Sequence, residues 1–152
     1  MTDTTPSRAG LAAALGARKI DHLGIAVRDL DAASKRFALL LGATEGGREE
    51  VASERVRVAF FGVGESRFEL VCPTSPDSAV AKFLDKRGEG IHHVCLRVAD
   101  IVAEVARLKS AGLEFVGEAP RPGAGGHRVA FVHPRSAGGI LVELAEAPPP
   151  GH

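Results

Sequence analysis

Sliding the sequence against itself by 71 positions lays HLGIAVRDL, which begins at His22, over HVCLRVADI, which begins at His93. Val27 then falls on Val98 and Leu30 on Ile101, and RVAF at 57–60 falls on RVAF at 128–131. Three extra residues enter the second copy, after which FELV at 68–71 meets VELA at 142–145 and Glu69 matches Glu143. A duplication constrains the fold more than any single motif does, because each copy must be one supersecondary unit that completes its core beside the other.

The order of local signals is the same in both copies. An apolar strand (IDHLGIAV; IHHVCLRV) runs through Asp29 or Asp100, each a plausible helix N-cap, into a helical pattern that ends near Gly42 or Gly112. Three strands should follow, the last two as a hairpin: VRVAFFGVGESRFELV in the first copy and HRVAFVHPRSAGGILVEL in the second. The unit is βαβββ, twice, in a single α+β domain over 19–147: module 1 about 19–73, a linker helix about 76–88, and module 2 about 90–147. Residues 1–18 read as a frayed tail or short surface helix without the charge or length of a signal peptide, and 148–152 as a second tail.

Alternation phases the strands. Leu23, Ile25 and Val27 form a bulky face suited to a helix, while His22, Gly24 and Ala26 form a small face with one imidazole. By the repeat, His93 shares the face of His22, and its neighbour His92 should point the other way as a satisfied core or interface histidine. Phe68 and Leu70 pack while Glu69 faces the histidines; Val142 and Leu144 pack while Glu143 does the same.

Nineteen basic and nineteen acidic residues cancel, so no overall field draws the chain to nucleic acid or an anionic membrane, and any anion must be caught locally. The stretch PRPGAGGHR offers backbone N–H groups at Gly125 and Gly126, flanked by Arg121, His127 and Arg128, for such a catch. A plain flexible hairpin loop is the competing reading. Lys82, Lys86 and Arg87 on the linker helix suit a solvated face or contacts to phosphates. The two cysteines, Cys72 and Cys95, lie in apolar runs without a CxxC, which fits buried thiols in a reducing, cytoplasmic setting.

Two histidines and two glutamates thus occupy symmetry-matched inward positions. Burying carboxylates uncompensated costs several kcal/mol each, and a cation removes that cost. Mixed imidazole and carboxylate ligation by His22, Glu69, His93 and Glu143 suits a borderline or hard divalent ion, and an octahedral ion would keep two places open for a bidentate substrate.

DHLGIAVRDL, SPDSAVAKFLDKRGEGIHHVCLRV, PRPGAGGHRVAFVHP and GGILVELAE together resemble the methylmalonyl-CoA epimerase family of the vicinal oxygen chelate (glyoxalase/bleomycin-resistance) superfamily, from about residue 19 to 147. The resemblance implies paired βαβββ modules in a cupped, eight-stranded mixed sheet around a divalent metal held at His22, Glu69, His93 and Glu143. The metal is often cobalt, with zinc, manganese, nickel or magnesium as the other candidates. It implies a homodimeric enzyme acting on an acyl-CoA by removing an α-proton through a metal-stabilised enolate. Glu143 is the expected base on one face and Glu69 its symmetrical counterpart. Some members place a second catalytic glutamate where this chain has Val58, so Glu49, Glu50, Glu54 or a metal-bound water are further candidates. A glyoxalase I-type lyase, an extradiol dioxygenase and a metal-free small-molecule-binding dimer are the rival uses of such a fold.

Overall fold

A computed structural model of the protein describes residues 15–149. The segment 1–14, most of the expected N-terminal tail, lies outside the described residues, as do 150–152. The elements follow the expected order twice: β1 (Ala17–Ala26), α1 (Leu30–Leu41), β2 (Gly47–Val51), β3 (Val56–Val63) and β4 (Ser66–Pro73), then α2 (Ala79–Arg87) as the linker, then β5 (Gly90–Val98), α3 (Ile101–Ser110), β6 (Phe115–Pro122), β7 (Arg128–Val132) and β8 (Val142–Glu146).

The predicted stop and start signals act as such. Asp29 and Asp100 accept hydrogen bonds from Ala32 N–H and Ala103 N–H, capping α1 and α3. Gly42, at φ 62°, closes α1 in the left-handed conformation that spares a residue without a Cβ.

All eight strands join one mixed sheet in the order β2-β3-β4-β1-β5-β8-β7-β6. The modules meet at the antiparallel β1/β5 seam, and within each the first strand pairs in parallel with the last, β1 with β4 and β5 with β8. One face carries the helix-backed cores. Ile25, Val27, Phe61 and Leu70 pack under α1, and Val98, Ala130 and Leu144 pack with Ile101 and Val105 of α3. At about 1.5–3 kcal/mol for each large apolar side chain withdrawn from water, these two layers are the main stabilising mass of the fold.

The other face curls inward until the two edges of the sheet meet. Gly125 N–H, just before β7, donates to Glu49 of β2 at 2.8 Å, and Arg121 of β6 forms an ion pair with Glu54, just after β2, at 2.9 Å. The result is a cup with its floor at the β1/β5 seam and its roof at these edge contacts. The helix α2 leans on the same inner face through Val80 and Leu84, against Ala26, Val56 and Val71.

Candidate metal centre and cavity

Phasing by period two places the expected residues on the floor of the cup. His22, Glu69, His93 and Glu143 are all buried, and Gly24 lies on the same face beneath the His93 ring, so closely that a Cβ there would fall within the imidazole. The glycine is what lets the second module's histidine lie flat across the first module's strand.

Three donors converge. His22 Nε2 lies 3.1 Å from His93 Nε2 and 3.3 Å from Glu143 Oε1, and His93 Nε2 lies 3.0 Å from the same oxygen. Ligands about 2.1 Å from a divalent ion and at right angles to one another stand about 3 Å apart, so this trio fits such an ion. Glu69 is placed differently. Its carboxylate is bonded by Arg67 at 2.5 Å and approaches His22 from the Nδ1 side, at 3.2 Å, behind the ring rather than at the converging Nε2 atoms.

A second set of groups holds the histidines from behind. Asp21, 3% exposed, accepts from His22 Nδ1–H at 2.7 Å and from Arg97 at 2.8 Å, with Arg67 at 3.3 Å. With its Nδ1–H so engaged, His22 presents Nε2 to the cluster, which is the orientation a ligating imidazole needs. Alternation alone puts Asp21 on the far face. The register shift between Ile20 and His22 makes Asp21 the extra residue of a β-bulge, which turns it to the same side as His22.

The same device corrects the expectation for His92. Gly24 pairs with His93 and Ile25 with Ile91, so His92 is the extra residue in β5 and does not point away from the site. It lines the cavity beside His93, with Nδ1 atoms 2.9 Å apart, and packs edge-on against Phe83 of α2.

The electrostatics follow from burial and pairing. Burial would push the His22 imidazolium down, but hydrogen bonds to Asp21 and Glu143 and the charges of Glu69 and Glu143 carry its pKa up to about 9. Burial, together with the neighbouring His93, pushes His92 down to about 4. Burial opposes the charged form of Glu143, yet the two histidines hold it near 2. Asp21 is likewise held well below the usual carboxylate range against its burial. Three carboxylates at Asp21, Glu69 and Glu143 face two guanidiniums at Arg67 and Arg97, and a protonated His22 balances the remainder. Cys95, fully buried beside this group, is a thiol whose ionisation burial pushes far up.

Above the donors opens a cavity of about 740 Å³, counting its mouth. Its walls are mostly valine, with Phe131, and include Val58; its polar groups are Glu54, Glu69, His92, His93, Arg121 and Glu143. The glycine loop borders it without being an open nest: Gly125 N–H is taken by Glu49, His127 is turned toward Arg97 and the Ala124 carbonyl, and Arg128 is exposed, 3.8 Å from Glu146. Arg121, at the end of β6, lines the cavity together with Gly123 and Ala124. Lys82, Lys86 and Arg87 are exposed on α2.

Comparison with known proteins agrees with this architecture. Residues 21–131 match the family model described as the glyoxalase/bleomycin resistance protein/dioxygenase superfamily. The chain is 39% identical over 130 residues to the ethylmalonyl-CoA/methylmalonyl-CoA epimerase of Cereibacter sphaeroides, covering 84% of this chain and 97% of that protein. It superposes on the crystal structure of methylmalonyl-CoA epimerase from Mycobacterium tuberculosis with a TM-score of 0.85, at 39% identity over 94% of this chain and 96% of that one. A methylmalonyl-CoA epimerase solved in complex with methylmalonyl-CoA and NH4+ superposes with a TM-score of 0.83, at 36% identity over 87% and 96% of the two chains.

Proposed function

The chain belongs to the glyoxalase/bleomycin resistance protein/dioxygenase superfamily, and from that premise we propose that it is an enzyme that interconverts the two epimers of methylmalonyl-CoA. The observation that carries the reading is the convergence of His22, His93 and Glu143, contributed by both modules, on the floor of the cup, where His93 and Glu143 line a cavity walled largely by valine.

The residues fit a divalent ion, for which cobalt is our first assignment and zinc, manganese, nickel and magnesium the others. His22, His93 and Glu143 would hold it, with Glu69, fixed by Arg67 on the Nδ1 side of His22, as a second acidic group beside them. When bound, the ion supplies electrophilic stabilisation of the enolate that forms at the thioester oxygen as the α-carbon loses its proton.

The chain's own groups do the rest. Glu143 is the carboxylate placed to accept the α-proton on one face, whereas Glu69, its counterpart in the repeat, is engaged by Arg67 behind His22. Asp21 keeps the Nε2 atom of His22 directed at the reacting centre. Val58, Val71, Val129 and Phe131 exclude water around the substrate carbon, which strengthens every charge interaction made there. Arg121, with Gly125, Gly126, His127 and Arg128 at the rim, forms the side on which we place the anionic groups of the acyl-CoA. We further assign the working form as a cytoplasmic homodimer. Among the described residues, no helix is long and apolar enough to cross a membrane.

The test is α-proton exchange. Purified, metal-analysed protein is incubated with methylmalonyl-CoA in D2O and followed by NMR, with and without EDTA. Exchange that EDTA abolishes and cobalt restores supports the reading. Its absence with cobalt supplied would overturn it, and hemithioacetals of glutathione would then be the substrates to try.

A further inference from the structure

The epimerase reading requires a proton to leave one face of the α-carbon and another to arrive on the opposite face. We propose that Glu54 is the residue that serves the face opposite Glu143. The proposal rests on the epimerase reading and adds to it the identity of the second proton carrier.

The curl of the sheet supplies the geometry. Glu143 lies on β8, beside the β1/β5 seam that forms the floor, whereas Glu54 lies where the sheet edges close the roof. Both line the same cavity, so a substrate held between floor and roof has one carboxyl group on either side. Glu54 ends a single 3-10 turn, Ala52–Glu54, and is followed by Arg55 at φ 56° and ψ 49°. Arg55 is the one non-glycine residue with a positive φ among the described residues, a strained conformation of the kind that clusters at functional sites.

Glu54 is held without being sealed. Arg121, from the other module, reaches its two oxygens at 2.9 Å and 3.4 Å while stacking over Phe131 at 5.0 Å. The closer contact is poorly aligned, and Arg121 Nε makes no hydrogen bond. Burial raises the Glu54 carboxyl above its ordinary range despite Arg121, and its charge is felt by Glu143 and His93. The other acidic candidates are occupied elsewhere: Glu49 by Gly125 N–H, Glu69 by Arg67, while Glu50 faces solvent. Val58 offers no proton.

In one direction, a Glu143 carboxylate oxygen takes the α-hydrogen as a proton and the C–H electron pair moves into the enolate. The Glu54 carboxyl then gives its O–H proton to the same carbon from the other side. The enolate pair forms the new C–H bond and the thioester carbonyl is restored. Glu143 ends as the acid and Glu54 as the carboxylate, the states needed for the reverse reaction, and exchange with water resets both.

The decisive variant is Glu54→Gln, which keeps the shape and the contact with Arg121. Each epimer of methylmalonyl-CoA is incubated with it in D2O, and deuterium incorporation and inversion are followed separately. Inversion should fall by about 100-fold or more. One epimer should still exchange its α-proton with retention, because Glu143 alone can remove and return it. Inversion within about threefold of the parent, or loss of exchange for both epimers with fold and metal content intact, would overturn the proposal. If Glu54→Gln does not hold its fold, Glu54→Asp is read by the same split, with inversion falling more than exchange and parallel losses counting against Glu54. If the parent protein exchanges neither epimer, the epimerase reading fails instead, which is a distinguishable outcome.

Discussion

Asp21 and His92 occupy equivalent places 71 residues apart, and each contacts Nδ1 of the histidine that follows it, at 2.7 Å for His22 and 2.9 Å for His93. Both are the extra residue of a bulge at the β1/β5 seam, so two successive side chains reach the same face in each module. The correspondence extends to the groups that orient the donors, and there the chemistry differs: a charged carboxylate behind one ring, a second imidazole behind the other.

That difference sets the relative cost of removing each partner. Asp21→Asn should weaken divalent-metal binding by about 10- to 100-fold, because it replaces the charged acceptor that fixes His22 with a neutral amide and leaves Arg67 and Arg97 short of a carboxylate. His92→Ala should weaken it less. Competition against a chromophoric chelator measures both, and a larger loss for His92→Ala would mean that Asp21 does not orient the ligand.

Gly24→Ala puts a methyl group where the His93 ring lies. The overpacking should cost about 1–3 kcal/mol of stability. The ring must move, so metal stoichiometry by elemental analysis should fall well below that of the parent while the circular dichroism spectrum is kept. Full metal content would show that His93 can ligate from another position.

Glu143→Gln should reduce turnover by about two to four orders of magnitude while leaving the fold intact, since it removes both an anionic donor and the proposed base. Turnover within tenfold of the parent at full metal loading would move the first proton transfer to another group.

Stability of the metal-free protein should depend on pH in both directions. His22 is raised from 6.5 to about 9, so its contribution is complete below pH 6.5 and is lost as pH climbs through 9. His92 is lowered from 6.5 to about 4, so its contribution is present above 6.5 and is lost as pH falls toward 4. Glu143, lowered from 4.5 to about 2, adds a loss at still lower pH. The melting temperature in EDTA should therefore peak near pH 6.5, and a saturating divalent ion should flatten the alkaline side by replacing the His22 proton. An alkaline fall identical with and without metal would show that His22 is not a ligand.

Much of the fold could be read from local chemistry. The repeat gave two βαβββ units, Asp29, Asp100 and Gly42 marked helix ends, and alternation turned Glu69 and Glu143 inward because β4 and β8 run without a break in register. Alternation failed at Asp21 and His92 for one reason: a bulge adds a residue without adding a turn signal. Glu54 and Arg121 were legible as individual candidates but not as a pair. Sixty-seven positions separate them, and only the curl of a sheet whose edges are β2 and β6 brings them together.

The repeat also carries Glu54 onto Gly125, since both offsets are 71. A site made from two identical chains would have to write every change twice, and would offer an acid above the substrate on both sides or on neither. Joining the copies lets each drift alone. The floor has kept its twofold likeness of histidine for histidine and glutamate for glutamate, while the roof has become handed. An unsymmetrical thioester, bulky at one end and small at the other, then has one way to lie rather than two.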